Sequence, residues 1–289
     1  MRNVVMGLYD GYDSLETPKG GLRIFVESFR HYNPTDRVVV FVQKRHTFPA
    51  LAELARRHRV ELCDYNEASV RKWNQDRQTY RLLLYHEWLK THDGEPGKIL
   101  LSDTNDVVFF GDPFAIETAS VYCALEKSTY TDSPSENMSS VTCNVGWLNV
   151  VGWPVRTARL RAGTAQNKYE QLMFGKNVVC SGTVLGTAVE IKRYLAHTVA
   201  NPFRTYTGAD QGCWNKYVYS RPPGAFDMVP YARSRILTLD SIDHATIPKD
   251  SDGFYLNEHG ERYLIVHQID RGCQIEHFRG LHSRWHRAA

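Results

Sequence analysis

The chain has no run of the roughly 18–20 apolar residues that a membrane span requires. Its opening, MRNVVMGLYDGYD, has neither a long apolar core nor a small-residue cleavage site, so it does not read as a secretory leader. The six cysteines, at 63, 123, 143, 180, 213 and 273, never form Cys-x-x-Cys, which argues against a zinc knuckle or a redox pair. Without a secretion signal they are expected to be reduced and mostly buried. Dense Lys/Arg blocks are missing too, and a formal net charge of only +3 argues against a nucleic-acid partner. RRHR at 56–59 and RGLHSRWHR at 279–287 read as solvated surface. There are no internal repeats and no low-complexity linker. The expectation is a soluble, cytoplasmic protein with no integral membrane segment, its 289 residues forming one domain. A hydrophobic content of 42% with 23% charged residues suits that class.

What is present is an alternation. NVVMGLYD (3–10) reads as a buried strand, and GGLRIFVESFRHY (20–32) has the apolar spacing of a helix. DRVVVFVQ (36–43) is continuously apolar, as a strand covered on both faces must be. FPALAELARRH is a helix, VELCDY a strand, RQTYRLLLYHEWLKTH (77–92) a long helix and KILLSD the next strand. This βαβαβαβ order predicts an α/β fold with a mostly parallel sheet flanked by helices. Residues 116–289 are less regular. Short runs at 120–126, 145–153 and 177–187 are broken by Gly, Ser and Asn. Helices are expected at 188–200 and from about 208, with Asp210 in the first turn or at the cap, and ILTLDS and RYLIVHQ read as strands. This half is expected to extend the sheet. The polar stretch 128–142 is either a loop over the site or plain surface.

One stretch carries the functional question. In GKILLSDTNDVVFFGDPF, Asp103, Asn105 and Asp106 stand between two apolar runs. Buried carboxylates are costly unless something cationic offsets them. In a parallel sheet these three residues, and Tyr9 and Asp10 after the first strand, fall at the carboxyl ends, where ligands bind. The pattern reads either as a divalent-cation site built from oxygen ligands or as a capped turn.

Four elements occur in order: LLSDTNDVVFFGDPF, CSGTVLGT, ADQGCWN and YLIVHQIDR. Together they resemble a GT-A fold glycosyltransferase, the nucleotide-sugar-dependent type with a DxD-like motif, over most of the chain to about Arg271. Similar soluble enzymes build glycans in bacteria and large algal viruses. The resemblance implies a GT-A fold, with 1–115 binding the nucleotide sugar and 116–289 the glycan acceptor. It implies Mn²⁺ or Mg²⁺ bridging a diphosphate, with Asp106 as the direct ligand and Asp103 and Asn105 in support. Asn105 departs from the tighter pattern, which has Asp there. A late His is implied as a further ligand. His267 is preferred because it ends a strand, and His277 in IEHFRG is the second candidate, with Asp270 and Arg271 beside the first.

The resemblance also assigns Tyr9 and Asp10 to uracil or ribose. Arg81 goes to diphosphate or the acidic motif. Ser181, Gly182 and Thr183 line the donor and acceptor cleft, and Gln211 and Trp214 border the acceptor. Asp210 is the expected base of an inverting transfer, the competing reading being an N-cap. Trp147, Trp153 and Trp214 are candidate sugar platforms, with core packing the default. The donor is expected to be a UDP-sugar, xylose among the candidates. The alternatives are a retaining enzyme of the same fold, a metal-dependent phosphohydrolase or nucleotidyltransferase, and a silent binding module.

Overall fold

The computed structural model describes residues 2–9, 15, 21–43, 48–73, 77–92, 96–129, 175–200, 209–239, 242–270, 277–281 and 283. The first half alternates strand and helix: β1 (Val4–Tyr9), α1 (Gly21–Tyr32), β2 (Arg37–Gln43), α2 (Pro49–His58), β3 (Val60–Tyr65), α3 (Glu67–Trp73), α4 (Arg77–Thr91) and β4 (Lys98–Ser102). β3, β2, β1 and β4 lie side by side in that order, all parallel. The apolar run of β2 is read by two cores at once. Val38, Val40 and Val42 turn toward α1 and α2, while Val39 and Phe41 turn toward α4.

Beyond β4 the direction changes. β5 (Val107–Phe109), β6 (Val121–Thr129), β7 (Asn177–Val179) and β8 (Thr183–Thr187) are followed by α5 (Ala188–Ala200) and α6 (Ala209–Tyr219). β8 pairs antiparallel with β4 and with β6, and β7 pairs antiparallel with β6. β9 (Asp227–Val229) joins β6 in parallel. The eight-stranded sheet is therefore mixed, which corrects the expectation of a mostly parallel one. Only Cys180–Gly182 separate β7 from β8, and both pair with β6. β7 and β8 run in the same direction, one after the other along β6, so the three residues between them are a break in one path antiparallel to β6.

β10 (Ile236–Thr238) and β11 (Ile265–His267) do not extend the large sheet as expected. They form a second, three-stranded sheet with β5, in the order β10-β11-β5. Its apolar face packs Val108, Phe110, Leu237, Tyr255, Val266 and Phe278 into a core of their own. The chain thus passes from the large sheet to the small one through four residues, Asp103–Asp106, between β4 and β5. Asp10, Trp147, Trp153, Arg271 and 130–142 lie outside the described residues.

β1 and β4 approach closely where the ligand edge begins. Gly7 pairs with Ser102, and a Cβ on Gly7 would overlap the Thr104 methyl. The Thr104 hydroxyl donates to the Leu8 carbonyl at 2.7 Å, closing the strand ends together. Gly7→Ala should cost about 1–3 kcal/mol through overpacking. Adding Thr104→Ser, which removes the clashing methyl but keeps the hydroxyl, should restore most of it. Urea unfolding of the single and double variants checks this, and a double variant no more stable than Gly7→Ala would exclude the close approach as the cause.

Candidate metal centre and its buried arginine

Strand register assembles the site. β11 runs antiparallel to β5 with His267 opposite Val107, which sets His267 beside Asp106. The Ile269 amide donates to the Asp106 carbonyl at 3.1 Å and locks the junction. On the other side of the loop the Asp103 amide donates to the Gly182 carbonyl at 2.8 Å. The acidic loop is thus held by β11 and by the break between β7 and β8.

Ligand atoms of Asp103, Asp106 and His267 lie within 4.8 Å of one another. His267 Nε2 is 3.3 Å from Asp103 Oδ2 and 3.6 Å from Asp106 Oδ2. Its Nδ1 is 3.2 Å from Cys180 Sγ. Gly182 lies against the imidazole so tightly that a Cβ there would overlap His267 Cε1 and Nε2 and crowd Asp103 Oδ2. Glycine is required here for space alone.

Arg81, projecting from α4, is the centre of the charge arrangement. Its guanidinium donates to Asp103 Oδ1 through one nitrogen and to Asp210 Oδ2, at 3.0 Å, through another. The Arg81 and Asp210 side chains are 8% and 7% exposed, so this is a buried pair, whereas Asp103, 29% exposed, reaches the surface. Ser181 Oγ donates to Asp210 Oδ2 at 3.2 Å.

The two carboxylates respond to Arg81 with opposite net shifts. Burial opposes ionisation of Asp103, but Arg81 and His267 outweigh it and hold its carboxyl well below the usual range. For Asp210 burial prevails over Arg81, and the neighbouring Asp103 adds to it, so its pKa is raised. Burial also works against charging His267, yet Cys180, Asp106 and Asp103 together hold the imidazolium well above the ordinary His value.

The donor set fits a divalent ion. Two carboxylates and one imidazole converge, and the nitrogen favours Mn²⁺ over Mg²⁺, which prefers oxygen alone. Asn105 Oδ1, in the same loop, is buried without a hydrogen-bond partner, an acceptor still lacking its donor. Of the predicted ligands, Asp103, Asp106 and His267 come together. His277 is not one of the convergent three, and its ring packs 5.4 Å from that of Tyr255.

Other predicted contacts are relocated. Trp214 is 1% exposed and packs its ring against Tyr194 in the core, so it offers no platform to a sugar. Tyr9 has no exposed surface, and its ring belongs to the core beneath α1, which leaves no face for stacking on uracil. Thr183 is buried and its hydroxyl points to Cys180 Sγ at 3.8 Å. Ser181 and Gln211 stay partly exposed and meet each other at 3.5 Å.

Sequence reasoning missed two residues. Asn215 receives the Val179 amide and donates to the Val179 carbonyl, both at 2.8 Å, clamping β7 to α6. It carries no signal beyond its helical spacing from Gln211, whose carbonyl it also meets at 2.8 Å. Cys180, one of six dispersed cysteines, reads in sequence only as a buried thiol. No family model and no curated protein matches this chain, so the chemistry of the centre stands on its geometry.

Arg81→Met strands the buried Asp210 carboxylate and should destabilise the fold by about 3–5 kcal/mol near neutral pH. The depressed Asp103 pKa contributes stability above its unfolded value of about 3.9, lost as pH falls through the folded value. The raised Asp210 pKa acts in reverse, favouring the folded state at low pH and losing that contribution as pH rises. Without Arg81 both carboxylates lose the cation that favours their charged forms, so in the variant they take up protons at higher pH than in the wild type, and its deficit should shrink between about pH 7 and pH 3, as chemical denaturation at both values would show.

A ligating His267 must give up its proton. Since its folded pKa is raised, the stability from its protonation is full below about 6.5 and fades as pH rises through the folded value. Mn²⁺ affinity should climb over that same rise, with net proton release. Calorimetry in two buffers of different ionisation enthalpy would measure it.

Proposed function

We propose that this chain is a metal-dependent glycosyltransferase that moves a sugar from a nucleoside-diphosphate donor, with UDP as the nucleotide, to a hydroxyl of a glycan acceptor. The observation that carries this reading is the convergence of Asp103, Asp106 and His267 at the carboxyl end of β4. Ligands of open α/β sheets bind at that edge. The parallel half, β3-β2-β1-β4, supplies the nucleotide-binding framework in this reading, and the antiparallel half the acceptor side. Among the described residues no helix is long and apolar enough to cross a membrane.

Asp103, Asp106 and His267 would hold a divalent ion, which would supply the positive charge that a departing diphosphate needs. Arg81 keeps Asp103 ionised and oriented, so the ligand is preorganised. Asn105 Oδ1 is the free acceptor for a ribose hydroxyl. Ser181 and Gln211, partly exposed next to Asp210, border the place where the sugar and acceptor meet.

Two stereochemical courses follow from Asp210. As a base it takes the acceptor proton in an inverting transfer, and its raised pKa suits that task. One observation favours retention instead: Asp210 is 5% exposed, with Oδ2 engaged by both Arg81 and Ser181. A carboxylate so held is a structural anchor rather than a base, and the nucleoside diphosphate would then leave as the acceptor oxygen bonds the anomeric carbon on the same face, its configuration kept.

The test is calorimetric titration of UDP and a panel of UDP-sugars, with and without Mn²⁺, on the wild type and Asp106→Ala. Binding that requires Mn²⁺ and disappears in the variant is expected. Binding indifferent to both would remove the metal centre from the mechanism. Release of phosphate with no glycoside formed would establish a phosphohydrolase instead. NMR of the product's anomeric proton decides between the two courses.

A further inference from the structure

The metal reading leaves one contact without a role. His267 Nδ1 faces Cys180 Sγ at 3.2 Å, inside the protein, where Cys180 is 2% exposed. An imidazole that ligates through one nitrogen carries its proton on the other, and whatever accepts that proton fixes ring orientation and tautomer. Nε2 is the nitrogen turned to the two carboxylates. Nδ1 must then hold the proton, and the group placed to accept it is a thiol sulfur rather than the usual carboxylate or carbonyl.

The geometry points to Cys180 as the positioning residue of the metal-ligating imidazole, accepting the Nδ1–H of His267 so that Nε2 stays bare toward Asp103 and Asp106. This inference rests on the metal reading of the preceding subsections. Three independent features hold the sulfur in place. The Thr183 hydroxyl donates to the same Sγ at 3.8 Å. The Cys180 amide donates to the Ala124 carbonyl at 3.4 Å, which anchors its backbone to β6. Asn215 fixes the preceding residue by bonding both the amide and the carbonyl of Val179.

Gly182 completes the holder from another side. Its missing side chain is the space that the imidazole edge occupies. The segment Ser181–Thr183, predicted to line the sugar cleft, thus shares a second task with Cys180. Cys180 and Gly182 hold the His267 ring, and Ser181 holds the Asp210 carboxylate.

Sulfur accepts hydrogen bonds weakly, and a hydroxyl accepts them better. This separates a hydrogen-bonding role from mere packing. If Cys180 only fills space, Cys180→Ser should bind Mn²⁺ no better than Cys180→Ala, because a hydroxyl that Thr183 alone engages does not orient the imidazole. If it accepts the Nδ1 proton, Ser should stand close to the wild type and Ala should not.

The experiment is calorimetric titration of Mn²⁺ alone into the wild type, Cys180→Ala and Cys180→Ser, with thermal melts in EDTA to verify folding. The expected result is a loss of about 10–100-fold in Mn²⁺ affinity for Ala, with Ser retaining near wild-type affinity. Equal affinity for Ala and wild type overturns the role of Cys180 and leaves the metal centre standing. No Mn²⁺ binding by the wild type overturns the metal reading, and this inference with it. Should Ala fail to fold, Cys180→Val, which keeps the volume without an acceptor, takes its place under the same criteria: Mn²⁺ affinity equal to the wild type overturns the role of Cys180, and a loss of about 10–100-fold supports it.

Discussion

One guanidinium, that of Arg81, ties together elements that lie far apart in the chain. It reaches Asp103 past the end of β4 and Asp210 in the first turn of α6, from a buried position on α4. Charge taken out of water is expensive, and removing one partner leaves the others uncompensated. The arrangement is therefore all-or-none. With Arg81 present, two carboxylates 107 positions apart in the chain share one counter-ion; without it, each would have to neutralise itself or pull toward solvent. Such a network also imposes direction, since only one packing of α4 against α6 and β4 satisfies it.

The rest of the centre follows from the way the chain leaves the large sheet. Four residues separate β4 from β5, and β5 belongs to a different sheet. A crossing so short has no slack, so its side chains take positions set by two sheets at once. The antiparallel register of β11 on β5 then decides which late residue meets Asp106. A slip by one residue would turn His267 to the opposite face. Placing functional groups on such junctions gives them the rigidity of both frameworks.

The first half of the fold was legible because its signals are local. Helical spacing in 20–32, the two-sided apolar run at 36–43 and the polar knot at 103–106 each depend on a few neighbouring residues. The short helix Glu67–Trp73 went unread, being too brief for periodicity to show. The second half depends on pairings that no local window contains. NVVCSGTVLGT reads as one broken strand, and only its partners β4 and β6 reveal two strands around a tight cradle. Among the site residues, Asp103 and Asp106 stand out as charge at a strand end, whereas Arg81 and His267 enter only through the family resemblance. Trp214 and Tyr9 were misplaced because an aromatic beside a motif looks the same in sequence whether its ring fills the core or faces a ligand. Cys180 and Asn215 were missed because their value lies in atoms 87 and 36 positions away.

The charge inventory of the centre has a bearing on the order of events. Asp103, Asp106 and Asp210 face one guanidinium and one imidazolium, so with every group charged the ensemble sums to a single negative charge. An incoming diphosphate would meet repulsion there. On the proposed reading, exchange of the imidazolium proton for a divalent ion would cancel that charge and let an anion approach. Nucleotide and cation would then enter as one chelate, or the cation first, and free nucleotide would be excluded by the same carboxylates that later help to hold it.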